Sequence, residues 1–441
     1  MSAPEELTRL IREEQARSRL PSLSAAAFRG HEVVWADAVG IADLEGEVEA
    51  TPQTQYRVGS ITKTFTAAAI MALRDEGRLA LDDPLGRHVP DVAHAEPTLR
   101  RLLSHLSGLQ REFADGMWER MEDPPRDELL SSVAEAEQVL EPGAHWHYSN
   151  LAFALLGEVV ERSSGQRWED FVSGRFFGPL GLTKTTLEPE EPRARGYFVQ
   201  PYVDVTEREA DLLLRRTAAA GQLWSTTGDL ARWGSFLADP DPAILAPRTA
   251  KEMHAVQVMA EPERWLSAWG LGLELYRRGD VILAGHSGGM PGFLAQLTWS
   301  RDGVGSVVLA NSSTWPELQE FGISLAERAI ELFPSEGEVW RPEGLVPPAE
   351  VSALLGRWWI EGNEFVLSYR GGRLEARMAS APDWLPPAVF EPDGEDRFRV
   401  ASGRERGELV RVVRDDAGEP VKLYWATYPC TRAPEVWGSS K

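Results

Sequence analysis

Apolar residues recur at helical spacing at the start of the chain, then alternate as in strands, then return to helical spacing. Residues 4 to 19 carry apolar positions on one side of a charged segment and predict an amphipathic helix. SLSAAAF and HEVVWADAV follow as two strands joined by a tight turn at Arg29-Gly30. A polar, turn-rich stretch through Gly46 and Pro52 leads to VGSITKTFTAAAIMALRDEGRL, residues 58 to 79. In it Ile61, Phe65, Ala69 and Leu73 fall four apart with no proline among them, which predicts a helix from Ile61 to Leu79 with one buried stripe.

From Leu79 to about residue 215 strand character thins, and short helical pieces such as LRRLLSHL and DELLSSVAEAEQVL replace it. A second long helix is expected from Leu151 to about Ser163, after the loop EPGAHWHYSN. GQLWSTTGDLARWGSFLA reads as a short strand or turn opening a helix capped by Ser225 or Thr227. Beyond Trp265 come four strands, LGLELYRRG, VILAGHS, FLAQLTWS and VGSVVLANS, and a closing helix in ELQEFGISLAERAIELF. Strands at both ends with helices between them predict an α/β domain over residues 1–335. Its ends pair into one mainly antiparallel sheet, flanked by helices, with a helical region of roughly 80–215 inserted. PSEGEVWRPEGLVPP, residues 334 to 348, reads as a proline- and glycine-rich linker, its core at 336–348. Residues 349–441 then show short strands and turns (RWWIEG, FVLSYRGGRLEAR, DRFRVA, GELVRVVRD, VKLYWATY), a small all-β, barrel-like domain. Its Gly356-Arg357-Trp358 is similar to the Gly-x-Trp of lipocalins.

Composition narrows the function. The chain has 441 residues, 46 Lys plus Arg against 68 Asp plus Glu, and a formal charge of −22. That balance argues against nucleic acid or an anionic membrane surface as partner. Cys430 is the sole cysteine, so no intrachain disulfide or cysteine metal cluster can form. The opening MSAPEELTRLIREEQARSRL lacks the apolar core and cleavage site of a secretory signal, and no apolar stretch reaches the ~20 residues of a membrane span. The cytoplasm is the expected compartment.

Three short motifs carry candidate chemistry. Ser60 stands where the first long helix begins, and Lys63, three residues on, shares its face and can reach its hydroxyl. A serine hydroxyl becomes a competent nucleophile only when a neighbour takes its proton. Tyr148-Ser149-Asn150 joins a proline-glycine loop to a helix, so the tyrosine could serve as a base and the asparagine could hold an amide, while Ser149 or Asn150 also fits a helix cap. Gly285-His286-Ser287-Gly288-Gly289 follows the strand VILA, where glycines admit close approach of substrate and a backbone N–H can face an oxyanion. Each motif has an ordinary structural reading: cap, loop tyrosine, hairpin bend.

Together, Ser-x-x-Lys on a helix, Tyr-x-Asn about 85 residues later and His-x-Gly on a late strand resemble the serine β-lactamase and penicillin-binding-protein family. The likeness is to the class C β-lactamase-like branch, which includes DD-peptidases, D-aminopeptidases and esterases. It runs from about Leu20 to Phe333 and takes in LLSHLSGL, PGAHWHYSNLAF and AAAGQLWSTTGDLARW. The resemblance implies a β-lactamase-like fold and a covalent acyl-enzyme on Ser60. Lys63 would help deprotonate Ser60, and Tyr148 would be base for attack and acid toward the leaving group. Asn150 would position the acyl amide and Lys63. The backbone N–H groups of Ser60 and Gly289 would form the oxyanion hole, with His286, Ser287 and Gly288 binding substrate. His286 replaces the lysine that β-lactamases carry here, which removes a fixed counter-charge for a carboxylate.

The expected function is therefore a serine hydrolase acting on small esters or D-amino-acid amides and peptides. The alternatives are a β-lactamase, a D-Ala-D-Ala carboxypeptidase-type penicillin-binding protein, an acyltransferase, and a non-catalytic ligand binder of the same fold. Small molecules are the expected partners, a homo-oligomer stays open, and no cofactor or metal is called for. Gly285–Gly289 also spells the Gly-x-Ser-x-Gly elbow of α/β-hydrolases, but all eight histidines precede Ser287, which that fold does not allow. His145 and His147 form a His-x-His pair without an evident third ligand, and Ser104-His105 sits in a turn that suits a structural role. Trp118, Trp146 and Trp224 fall in segments expected near the pocket, where they could form an apolar wall.

Overall fold

The computed structural model describes residues 2–334, 340–342, 344–382 and 384–436. The chain divides into two compact units, Met1–Glu336 and Gly337–Lys441. Residues 335–339 and 343 of the expected linker lie outside the described residues.

In the larger unit, α1 (Ala3–Arg17) is followed by β1 (Ser22–Arg29), β2 (Glu32–Asp43) and β3 (Val48–Glu49). The later strands are β4 (Val258–Glu261), β5 (Ser267–Trp269), β6 (Glu274–Arg278), β7 (Val281–Met290), β8 (Phe293–Ser300) and β9 (Val304–Ala310). They form one antiparallel nine-stranded sheet in the order β3-β2-β1-β9-β8-β7-β6-β5-β4. The two ends of the unit meet where β1 pairs with β9, from Leu23 opposite Ala310 to Arg29 opposite Val304. Alternation assigns each face. Val307 and Leu309 turn toward the helical region, whereas Val308 and Ala310 turn toward the side that holds Leu7 and Ile11 of α1 and Leu325 and Ala329 of the closing helix Leu318–Leu332.

The helix that carries the first motif, α2 (Thr62–Asp75), is preceded by a 3-10 turn over Gly59–Ile61. Sequence spacing implied one buried stripe, but every residue from Thr62 to Leu73 is buried. The reason is that its polar side chains have partners. Thr64 Oγ1 donates to the Ile61 carbonyl and accepts from Trp233 Nε1, and Thr66 Oγ1 donates to Ala219 O and accepts from Trp168 Nε1. A helix so satisfied can be wrapped on all sides. It stops short of Leu79 because Gly77 takes a left-handed φ of +71°. The second long helix, α3 (Asn150–Ser164), is capped by Ser149, whose hydroxyl accepts from Ala152 N. The helix α4 (Thr227–Ala238) is capped by Thr226, whose extended backbone aims its oxygen at Asp229 N, whereas Ser225 belongs to the short strand Trp224–Ser225 and Thr227 is already helical.

The smaller unit is a closed antiparallel barrel of eight strands: Gly356–Ile360, Asn363–Arg370, Arg373–Met378, Ala388–Pro392, Arg397–Val400, Leu409–Arg414, Pro420–Trp425 and Tyr428–Thr431. The first and last strands close it through Trp359 opposite Thr431 and Ile360 opposite Cys430. Trp358 is fully buried, donates its indole N–H to Leu354 O at 2.7 Å and lies under the Arg432 guanidinium at 3.9 Å. Among the described residues no helix is long and apolar enough to cross a membrane.

Candidate active site

Ser60 sits half-buried in the 3-10 turn before α2, and Lys63 lies one turn on with no exposed surface. Lys63 Nζ is 3.0 Å from Ser60 Oγ and is anchored by a 2.7 Å hydrogen bond to Ala220 O. Burial drives the Lys63 ammonium down to about 7, against the opposing pull of the Glu112 and Glu274 carboxylates. Near neutrality a large share of Lys63 is therefore a free amine beside the serine.

Tyr148 stands over this pair, with Lys63 Nζ 5.1 Å and the Arg111 guanidinium 5.0 Å from its ring centroid. Burial raises the Tyr148 phenol above its ordinary value, and a hydrogen bond with Ser60 opposes the rise only in part. The role of base that the resemblance assigns to Tyr148 thus runs against its surroundings, because a cation beside the ring does not outweigh desolvation of the phenolate. His105 fixes the ring from below. It stacks on Tyr148 at 4.3 Å, and its Nδ1 accepts from Ser149 N, which leaves the neutral ring with its proton on Nε2. This is the structural role expected of the Ser104-His105 turn.

Asn150 lines the cleft as expected, but it holds a carboxylate rather than Lys63. Its Nδ2 donates to Glu112 Oε1, and its Oδ1 has no protein partner among the described residues. Burial raises Glu112 above the ordinary carboxylate range.

The third motif is a continuous strand, Val281–Met290, with no strand-turn-helix elbow. The pairing of β6 with β7 ends at Glu274 opposite Gly285, so the following residues of β7 lie beyond β6 along one edge. Ser287 and Gly289 line the cleft, while His286 and Gly288 do not. His286 is fully buried with rings of Trp269 and Tyr148 nearby, and burial together with Lys63 pushes it down to about 3. A substrate-binding role by direct contact is therefore corrected for His286: strand alternation turns it away from the opening. Gly288 likewise faces protein. A Cβ there would lie 2.0 Å from Val58 O and 3.3 Å from Ser60 N, so only glycine lets β7 close on the turn that bears Ser60. From the other side Gly59, at φ +50°, meets Gly289 N at 2.8 Å from its own hypothetical Cβ. The two backbones expected to supply the oxyanion hole are thus in contact.

The cleft measures about 710 Å³, and its walls include residues that sequence reasoning passed over: Arg111, Glu112, Trp269 and Glu274. Trp118 and Trp146 line it as expected, whereas Trp224 is core, packed edge-on against Phe293. Among the described residues no group of three or more His, Cys, Asp or Glu could hold a metal ion.

Residues 7–328 match the family model described as Beta-lactamase, and residues 347–432 match a domain of unknown function (DUF7586). Protein flp of Staphylococcus aureus (strain N315) is 24% identical over 331 residues, covering 72% of this chain and 65% of its own. The chain thus spans less than two thirds of that relative. A D-aminopeptidase of Brucella anthropi is 27% identical over 422 residues, covering 91% of this chain and 75% of its own. Among solved structures, a D-stereospecific amidohydrolase from Streptomyces sp. superposes with a TM-score of 0.63 at 28% identity, over 75% of this chain and 99% of that one.

Proposed function

The chain belongs to the beta-lactamase family, and from that premise we propose that it is a hydrolase working through an acyl-enzyme on Ser60, with small esters or D-amino-acid amides and peptides as substrates. The observation that carries the reading is the buried Lys63 amine, 3.0 Å from Ser60 Oγ and held near a pKa of 7. Lys63 in its neutral form accepts the Ser60 proton as Oγ attacks the carbonyl carbon. The backbone N–H groups of Ser60 and Gly289 receive the negative charge that develops on the carbonyl oxygen. Tyr148, kept protonated by burial, passes its proton to the leaving group and is refilled from Lys63. Water then attacks the ester and the same groups act in reverse.

Two features support the substrate class. The cleft carries two carboxyl groups, Glu112 and Glu274, against a single cationic lining residue, Arg111, which suits an amine-bearing or neutral substrate over an anionic one. The D-aminopeptidase and the D-stereospecific amidohydrolase named above are family relatives with matching reaction names. A β-lactamase activity is disfavoured because His286 is buried and neutral and offers a carboxylate no counter-charge.

A fluorophosphonate probe followed by peptide mapping tests the nucleophile. A single adduct on Ser60, lost in Ser60→Ala and blocked by prior D-aminoacyl amide or ester, is the expected result. An adduct on Ser287, or turnover by Ser60→Ala at the wild-type rate, would refute it.

A further inference from the structure

Glu274 has a role that the chemistry on Ser60 does not use. It begins β6 opposite Gly285, at the point where the edge of β7 opens into the cleft, and only 9% of its surface is exposed. Ser287 Oγ donates to Glu274 Oε1 at 3.1 Å, and Gln319 Nε2 donates to Oε2 at 3.2 Å while also reaching Tyr276 Oη at 3.0 Å. Each of these donors is spent on the carboxylate. Ser287 has one hydrogen, and with that hydrogen committed it presents only lone pairs to the cleft.

Lys63 is the cation that reaches this corner and favours the Glu274 carboxylate, but burial leaves much of it a neutral amine near pH 7. Arg111 is on the Tyr148 and Glu112 wall, Arg278 is paired with Glu320 and Glu327, and the ring of His286 is neutral. Burial lifts Glu274 to about 7 even with the Ser287 and Gln319 hydrogen bonds and Lys63 holding it down, so its ionised, acceptor-only form dominates as pH rises above 7, and the affinities below are compared at about pH 8.

Resting on the hydrolase reading above, we propose that Glu274 and Ser287 form an acceptor-only subsite at the open edge of β7, which takes a donor or cation from the substrate and turns away a carboxylate. Exclusion is then an active property of the cleft and not merely the lack of a lysine at position 286. A like charge set against a buried carboxylate is among the stronger ways to reject a ligand.

The test uses the full-length chain and three ligands with a common D-alanyl group: D-alanyl-D-alanine, its carboxamide and its 2-aminoethylamide. Their affinities for Ser60→Ala are measured by calorimetry, so the result does not depend on turnover, and kcat/KM is measured in parallel on proteins with Ser60 intact. The carboxamide and aminoethylamide are expected to bind at least roughly tenfold more tightly than the free dipeptide. Glu274→Gln, which supplies an amide N–H in the same volume, is expected to shrink that ratio roughly tenfold, and Glu112→Gln to shrink it several-fold less. A Glu274→Gln protein that weakens all three ligands alike would overturn the subsite, as would a ratio moved by Glu112→Gln instead, or binding of none of the three. Loss of the fluorophosphonate adduct with the affinity ratio intact would instead sink the acyl-enzyme reading and leave the subsite standing.

Discussion

The floor of the cleft and its walls are built in opposite ways. The floor needs one turn of helix: Ser60 and Lys63 are three residues apart, and burial of α2 supplies the low dielectric that tunes the amine. The walls need separate stretches of chain to meet. Arg111 and Glu112 come from a loop, Trp269 and Glu274 from the two sides of a hairpin, and Ser287 from β7. A nucleophile and its proton acceptor must be held at fixed separation, and a helix guarantees that locally. Selectivity depends on what stands opposite the reacting bond, and that is set by pairings between distant parts of the chain. Reaction and selectivity therefore have different sequence signatures even inside one pocket.

Three changes would break or sharpen this contrast. Lys63→Met places an apolar side chain of similar length inside α2 and removes the proposed proton acceptor. Its acylation rate, read by stopped flow with an activated ester, is expected to fall by about 10³-fold, within the range that a positioned general base supplies. The melting temperature should hold or rise, since a buried amine is no longer desolvated. Retention of fast acylation would move the base elsewhere.

Gly288→Ala acts on the seam between floor and wall. The added methyl would lie 2.0 Å from Val58 O, so β7 must back away from the Ser60 turn. A loss of about 1–3 kcal/mol of stability is expected from such overpacking, with kcat reduced more than KM is raised. An unchanged kcat would mean that the two backbones need not touch for the reaction.

The smallest effect tests whether the walls speak to the floor at all. With Lys63 neutral as the active form, kcat/KM should climb as pH rises through about 7 and then level off. Glu112 favours the charged amine, so Glu112→Gln should lower the Lys63 value and displace that rise toward lower pH. A pH profile that does not move would confine Glu112 to holding Asn150.

How much of this could be read from the amino acids follows the same division. The Ser60–Lys63 pair and the α/β plan are visible because helical and strand periods are local. Burial of α2 on every side is not, because it depends on Trp168 and Trp233 arriving from far along the chain to satisfy its threonines. The inward turn of His286 needed the register of β7 as well as its sequence. In the barrel, the strands Ala388–Pro392 and Tyr428–Thr431 escaped notice because Pro392 and Pro429 sit inside them, and proline ordinarily argues against a paired strand. Glu274 lay in a strand that was foreseen, but nothing in LGLELY marks one carboxylate as facing a cleft.

The pairing of β1 with β9 also sets a timetable. About 275 residues separate the two partners, so at a synthesis rate of about 5–20 residues per second the hydrogen-bonding edge of β1 waits on the order of 15–60 s for its neighbour. Through that interval the alanine-rich strand is an open edge at the mouth of the ribosome, the kind of surface that chaperones cover and that aggregates recruit. The barrel shortens this delay: each strand from the second on pairs with the one made just before it, and the first waits for the last across about 70 residues. The larger unit, which holds the cleft, is therefore the one expected to lose more soluble yield when chaperone protection during translation is withdrawn.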